Sequence, residues 1–308
     1  MKTFLLAALV AMPSALPATV EKQQAPAATL VVPFDFSRGA IEVDIVIRGT
    51  PLHALVDTGV NPSVIALSRA LELGLPVDRG DEGEASGFGN GKGAAVFPSA
   101  IDGLSLGGRP VARFDALAAD LSSLSARYGR PLDAILGSSF LGDKRVLIDY
   151  PRRSLSILPA GSAVAASACR RQWSAPLRLF DESYPLVADF RIGATTMPAT
   201  LDTGYNGAVA LFGPAADLPD VRAALVEAGS VEHAGARGSA TSVRYVLALP
   251  VGLGPFTLPA GQAAIVHAAG DHADGRAANL GNRLLDAMQL RVLLDYPAGT
   301  LTLFGDCR

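Results

Sequence analysis

Charge is scarce in this chain and nearly balanced. Asp, Glu, Lys and Arg make up 18% of the 308 residues, the net charge is −3, and no long run of Lys or Arg occurs. A nucleic-acid surface needs a basic patch, so that class of partner is excluded. Long apolar runs are missing too. The best stretch, Phe4 to Met12, is broken by Pro13 and falls well short of the roughly 20 apolar residues a bilayer-spanning helix requires. There are two cysteines, Cys169 and Cys307, which leaves either one disulfide or two free thiols. Several catalytic signatures are absent as well. Lys92 is followed by Gly93 rather than Ser or Thr, which excludes a phosphate-binding loop. Ser138-Ser139 lacks the glycine pattern of a nucleophile elbow. His267, Asp271, His272 and Asp274 sit close together, but in an Ala/Gly-rich segment with no helical spacing to align ligands. That segment reads as a solvated loop, with no metal and no cofactor expected.

What is present points to a packed, turn-rich protein. Hydrophobic residues make up 49%, and 32 Gly with 21 Pro favour many turns and a mainly β architecture. Lys2, the short apolar run and the small residues around Ala18 or Ala25-Pro26-Ala27 form an export signal over residues 1–27. Export to the periplasm or the exterior favours the Cys169–Cys307 bridge over free thiols. His53 and His233 read as structural, Asn61 and Asn206 as loop hydrogen-bonders, and Trp173 and Phe180 as core or lobe-interface residues.

The chain then runs through one pattern twice. In the first half, Ile41 to Ile45 alternates as a half-buried strand, and Leu52 to Val56 climbs to Asp57-Thr58-Gly59. A helix over Ala66 to Leu73, a glycine-rich tip between Gly80 and Gly93, and strand-like residues from Ala95 to Leu106 follow. Ile135-Leu136-Gly137 and the strand Val146 to Asp149 close the half. In the second half, Leu186 to Ile192 is a strand and Met197 to Leu201 climbs to Asp202-Thr203-Gly204. A helix over Asp220 to Glu227, a tip at Ala234 to Ser239, Asn279-Leu280-Gly281 and the strand Val292 to Asp295 follow. Asp57 to Asp202 is 202 − 57 = 145, Gly137 to Gly281 is 281 − 137 = 144, and Tyr150 to Tyr296 is 296 − 150 = 146. Landmarks recurring at one offset mean a duplicated domain, since solenoid units repeat every 20–50 residues or so. The expected division is a signal at 1–27, a lobe at 28–160, a linker at 161–172 and a second lobe at 173–308, with the lobes related by a pseudo-twofold axis.

A carboxylate at the end of an apolar strand is costly to bury alone. Two that face one another can share a proton, which makes them an acid–base pair. On this reading the fold exists to bring Asp57 and Asp202 together.

The paired apolar-apolar-Asp-Thr-Gly motifs, each with a Leu-Gly step some eighty residues on and an apolar strand after it, resemble the aspartic peptidases of the pepsin and retropepsin group. The run Asp57-Thr58-Gly59-Val60-Asn61-Pro62-Ser63-Val64-Ile65 is most similar to bacterial retropepsin-like proteins. The resemblance implies two retropepsin-like β-barrel lobes in one chain with a cleft between them. A monomer supplies both loops on this view, and the reaction is endopeptidase hydrolysis of peptides or unfolded protein. It implies Asp57 and Asp202 as the pair that activates water, with Thr58, Gly59, Thr203 and Gly204 in support. Thr58 and Thr203 would send hydroxyls across the interface, and the tips at Phe88-Gly89 and Arg237-Gly238 would act as flaps. Val60 and Tyr205 stand where pepsins place a hydroxyl, which implies a shared proton held to higher pH. The other class compatible with these residues is a catalytically silent peptide-binding or scaffold protein with the same two lobes.

Overall fold

The computed structural model describes residues 29–87, 89, 91–164, 169–267 and 276–307. The export segment 1–27, the flap candidate Phe88, and Asp271, His272 and Asp274 lie outside the described residues. Among the described residues the strands form three sheets, two of them built to one plan. The chain is mainly β and two-lobed.

The N-terminal sheet orders its strands as Gly83–Glu84, Ala95–Ile101, Phe114–Ala119, Ser63–Ala66, Ala134–Leu136, Thr50–Val56, Glu42–Ile47, Leu104–Leu106 and Arg109–Pro110. The C-terminal sheet runs Leu225–Gly235, Gly238–Leu247, Gln262–His267, Val209–Phe212, Ala278–Leu280, Thr195–Leu201, Tyr184–Ile192, Val251–Leu253 and Phe256–Leu258, with Arg178–Phe180 added beside Tyr184–Ile192. Position by position the two orders match, so the repeat seen in the offsets is a repeat of topology. Each lobe starts from a hairpin. Glu42–Ile47 and Thr50–Val56 pair antiparallel across Arg48-Gly49, where Gly49 at φ +82° supplies the left-handed conformation that a two-residue turn demands.

The third sheet joins the lobes. Its order is Leu30–Pro33, Ser154–Leu158, Arg145–Asp149, Arg291–Asp295, Thr300–Cys307 and Cys169–Pro176. At its centre Leu147 pairs with Leu293, flanked by Arg145 opposite Asp295 and Asp149 opposite Arg291. This register is its own mirror under the 146-residue offset (291 − 145, 295 − 149), so the pseudo-twofold axis passes through the Leu147–Leu293 pair. Two ion pairs repeat the symmetry, Arg145 Nε to Asp295 Oδ2 at 2.5 Å and Arg291 Nε to Asp149 Oδ2 at 2.9 Å. One continuous apolar core runs through both lobes, with Ile45, Phe140 and Tyr150 buried on one side and Phe190, Leu280 and Leu303 on the other.

Two local expectations change, and one strand stands where none was expected. The helix expected over 220–227 is Pro219–Ala224, and Leu225 turns extended to begin a strand. Pairing with Gly238–Leu247 outweighs the modest helix preference of Ala and Glu there. The segment expected as a linker ends early, because Cys169–Pro176 is an edge strand of the joining sheet. Leu30–Pro33 is a strand with no sequence signature of its own, since its partner Ser154–Leu158 lies about 120 residues on.

Cys169 and Cys307 face each other at the end of that edge pairing and form the disulfide. It closes a loop spanning a separation of 138 residues, which by loop-closure entropy stabilises the folded chain by a few kcal/mol. Replacing both cysteines by serine is expected to lower the unfolding free energy by about 2–5 kcal/mol, read as a lower denaturant midpoint under oxidising conditions.

Candidate active site

The two Asp-Thr-Gly loops each leave the end of a buried strand. Thr50–Val56 delivers Asp57, and Thr195–Leu201 delivers Asp202. Each loop is held from behind by the Leu-Gly strand of its own lobe. Asp57 N–H donates to Leu136 O at 3.0 Å and Asp202 N–H to Leu280 O at 2.9 Å. The glycine of that step is required by packing, because a Cβ on Gly137 would strike the backbone of Val60 at 2.5 Å.

Across the interface the loops are tied by a reciprocal set of bonds. Thr58 Oγ1 donates to Leu201 O at 2.7 Å and accepts from Thr203 N–H at 3.1 Å. Thr203 Oγ1 donates to Val56 O at 2.8 Å and accepts from Thr58 N–H at 3.0 Å. Both threonines are 2% exposed, so each hydroxyl pairs with a backbone donor and a backbone acceptor shut away from water. Gly59 and Gly204 make the approach of the carboxylates feasible. A Cβ on Gly59 would overlap the Asp202 carboxylate, and one on Gly204 would overlap that of Asp57.

The two carboxylates face one another, each set against the other loop's glycine, and the Asp202 charge is felt at Asp57. Burial and then the neighbouring Asp202 charge push the Asp57 carboxyl well above the usual range. Burial also raises Asp202, but donors oppose it: Asn279 first, then the Gly204 and Tyr205 backbones and the Arg276 charge. Asp57 Oδ1 accepts from Gly59 N–H at 2.7 Å. Asp202 Oδ1 accepts from Gly204 N–H at 2.9 Å and Tyr205 N–H at 3.1 Å, while its Oδ2 accepts from Asn279 Nδ2 at 2.5 Å. Val60 offers no hydroxyl. Tyr205 contributes its backbone, its own phenol pointing to Val209 O at 3.4 Å.

The glycine-rich tips meet. Gly91 N–H donates to Arg237 O at 2.8 Å, Arg237 Nε returns a bond to Gly91 O at 2.9 Å, and Ala94 N–H donates to Ala236 O at 3.0 Å. Gly89 packs so closely on Arg237 that a Cβ there would clash with its backbone, and Gly238 at φ +86° forms the turn. Arg127, in the helix Ser122–Tyr128, binds Glu232 at 2.8 Å and Ser239 at 3.2 Å on the opposing hairpin. Tyr128 at the end of that helix feels the charges of both aspartates and of Glu42, and its phenol is raised chiefly by burial.

The remaining sequence candidates take structural places. His53 lies between Glu42 (2.9 Å) and Arg130 (2.6 Å), and Asn61 accepts from Ser138 at 2.5 Å. Asn206 donates to Arg38 O at 3.4 Å. His233 bonds Ser242 at 2.7 Å, and His267 packs on Phe212, its imidazole lowered to about 3 by burial. Among the described residues no cluster of three or more His, Cys, Asp or Glu side chains could hold a metal ion, and no helix is long and apolar enough to cross a membrane. Sequence reasoning passed over Thr200, Arg276 and the amide of Asn279. The signal was available, because Asn279 occupies the position that Ile135 fills in the first lobe.

This geometry places the chain beside known proteins. Residues 43–140 match the aspartyl protease family model. The match takes in Asp57 and the Ile135-Leu136-Gly137 step, so the first lobe is aspartic-protease-like. Among solved structures the chain is similar to conglutin gamma, a unique basic 7S globulin from lupine seeds. The two share 14% identity over 92% of this chain and 96% of that one, with a TM-score of 0.51. At that identity the likeness shows the fold alone. No curated protein matches the sequence.

Two stability predictions follow from the interface. Thr58→Ala strands two buried backbone groups and is expected to cost about 1–3 kcal/mol, whereas Thr58→Ser keeps the hydroxyl and stays near wild type in chemical denaturation. Asp57 has its folded pKa raised above the unfolded value of 3.8, so its contribution is complete below that pH and is lost as pH rises through the folded pKa. The neutral isostere Asp57→Asn is therefore expected to match wild type near pH 3 and to exceed it in stability near pH 7. Equal stabilities at both pH values would contradict the raised pKa.

Proposed function

We propose that this protein is an aspartic endopeptidase that hydrolyses peptide bonds with a water held between Asp57 and Asp202. The observation that carries the reading is the juxtaposition of two carboxylates, Asp57 buried and Asp202 half-buried, each set against the other lobe's glycine. Like charges this close cannot both ionise, so the pair holds one proton through the acidic range and higher. The ionised member takes a proton from water as it attacks the scissile carbonyl, and the protonated member donates to the carbonyl oxygen. The match of residues 43–140 to an aspartyl protease model supports the same reaction class.

In this reading Thr58 and Thr203 hold the loops at a fixed separation, and the joined tips around Gly89 and Arg237 part to admit an extended peptide. Both loops come from one chain, so a monomer is competent. The substrate class is peptide or unfolded protein, and export places the enzyme in the periplasm or outside the cell.

The test uses the full chain with reduced, alkylated protein as substrate across pH 3 to 7. Wild type is expected to cleave, and Asp57→Asn and Asp202→Asn are each expected to lose activity by at least about a thousandfold, in line with the loss of an acid–base group together with the attacking water it orients. Undiminished cleavage by either variant would remove the pair from the reaction. Binding of that substrate without cleavage by wild type would leave the silent peptide-binding protein as the function.

A further inference from the structure

The duplicated lobes differ in what stands behind the two carboxylates. Behind Asp57, the parallel register sets Ile135 beside Leu55, both apolar. Behind Asp202, the same register sets Asn279 beside Thr200. Arg276 stands where Leu132 stands in the first lobe (276 − 144 = 132). The second lobe thus carries a polar chain where the first carries hydrocarbon.

The direction of that chain is fixed from its far end. A guanidinium only donates, so Arg276 Nη1 gives its proton to Thr200 Oγ1 at 3.3 Å. The Thr200 hydroxyl then donates to Asn279 Oδ1, its shortest contact. With its oxygen taken, the amide presents Nδ2–H to Asp202 Oδ2 at 2.5 Å. Asn279 is 7% exposed and Thr200 1%, so water does not compete for these bonds. Asp202 therefore accepts from two backbone N–H groups and the Asn279 amide, whereas Asp57 is served by the Gly59 and Gly204 backbones and, among the described residues, has no side-chain donor behind it.

We propose that Asn279, oriented by Arg276 and Thr200, is a positioning residue that makes Asp202 the ionised member of the pair and leaves the shared proton on Asp57. The assignment rests on the peptidase reading for its chemistry and gives that reaction a direction. Water forms the new C–O bond while its proton passes to Asp202 Oδ. The carbonyl π pair moves to oxygen, which takes the Asp57 proton. In the second step the C–N bond breaks, the amine takes the proton from Asp202, and Asp57 recovers one from the diol. Both carboxyls end as they began.

The ionisable groups around the pair come from several elements: Tyr128, Tyr184, Tyr205 and Arg276, with Asp181 acting on Arg276 and Glu42 and Arg38 acting on Tyr128. Of these, Arg276 is the cation that lowers Asp202 directly. The tyrosines are all raised by burial and stay neutral.

The test is a ¹³C carboxyl titration of the full chain labelled at aspartate, with Asp57→Asn and Asp202→Asn to identify the two signals. In wild type the first group to ionise is expected to be Asp202. Asn279→Ile, which copies the first lobe, is expected to raise that step by about one to two pH units, the worth of a hydrogen bond to a charged group. Thr200→Val is expected to move it the same way, and Thr200→Ser to restore the wild-type titration, which a merely structural role would not do. If Asn279→Ile does not fold, the Thr200 pair and the wild-type order of ionisation still decide the matter. Ionisation of Asp57 first, or a lower step that none of these changes moves, would overturn the assignment. The titration is independent of cleavage. Asp202 ionising first in a protein that cuts nothing refutes the peptidase reading alone, and cleavage with Asp57 ionising first refutes this assignment alone.

Discussion

Two carboxylates set against one another repel as soon as both are ionised, and the rest of the molecule is arranged to hold them there anyway. The repulsion between neighbouring charges shielded from water is large enough to drive the loops apart or to force a proton onto one of them. Separation is prevented by the Thr58–Thr203 exchange, which joins each loop to the strand that delivers the other. Beneath it, the six-stranded sheet binds the lobes through main-chain bonds centred on Leu147 and Leu293. With separation blocked, proton uptake is the remaining outlet.

Duplication gives such a site its symmetry, and symmetry alone would leave the two carboxylates interchangeable. The hydrogen bonds show how little sequence is needed to break it. The sheet order, the reciprocal threonines and the glycine approaches are alike in both lobes. The loops differ in what stands behind them, Leu55 and Ile135 in one and Thr200 and Asn279 in the other. The hydroxyl that Val60 and Tyr205 fail to supply is replaced in the second lobe by an amide from a neighbouring strand. Among the described residues no side-chain donor takes its place in the first lobe. A polar pair on one side of a near-symmetric site thus places charge without disturbing the architecture.

Much of this was legible because it is written in short-range terms. Alternating strands ending in Asp-Thr-Gly, turn glycines, and landmarks repeating at 144–146 residues are visible in a one-dimensional reading, and they were enough to expect two mainly β lobes and to single out Asp57 and Asp202. The pairing of Cys169 with Cys307 was one of two open choices until the edge strands set the residues opposite each other. The strand Leu30–Pro33, the early end of the helix at Ala224 and the strand within the expected linker were not legible. Each depends on a partner distant in sequence rather than on its own residues.

The sequence by itself determined the repeat, the identity of the two carboxylates and the residues that let them approach, because these follow from local spacing and side-chain chemistry. Only the tertiary structure decided which carboxylate is stabilised as an anion. That choice depends on the parallel register that sets Asn279 beside Thr200, and on Arg276 reaching the same point from outside the strand. Hydrogen bonds have a direction, and direction is settled by which groups meet in space.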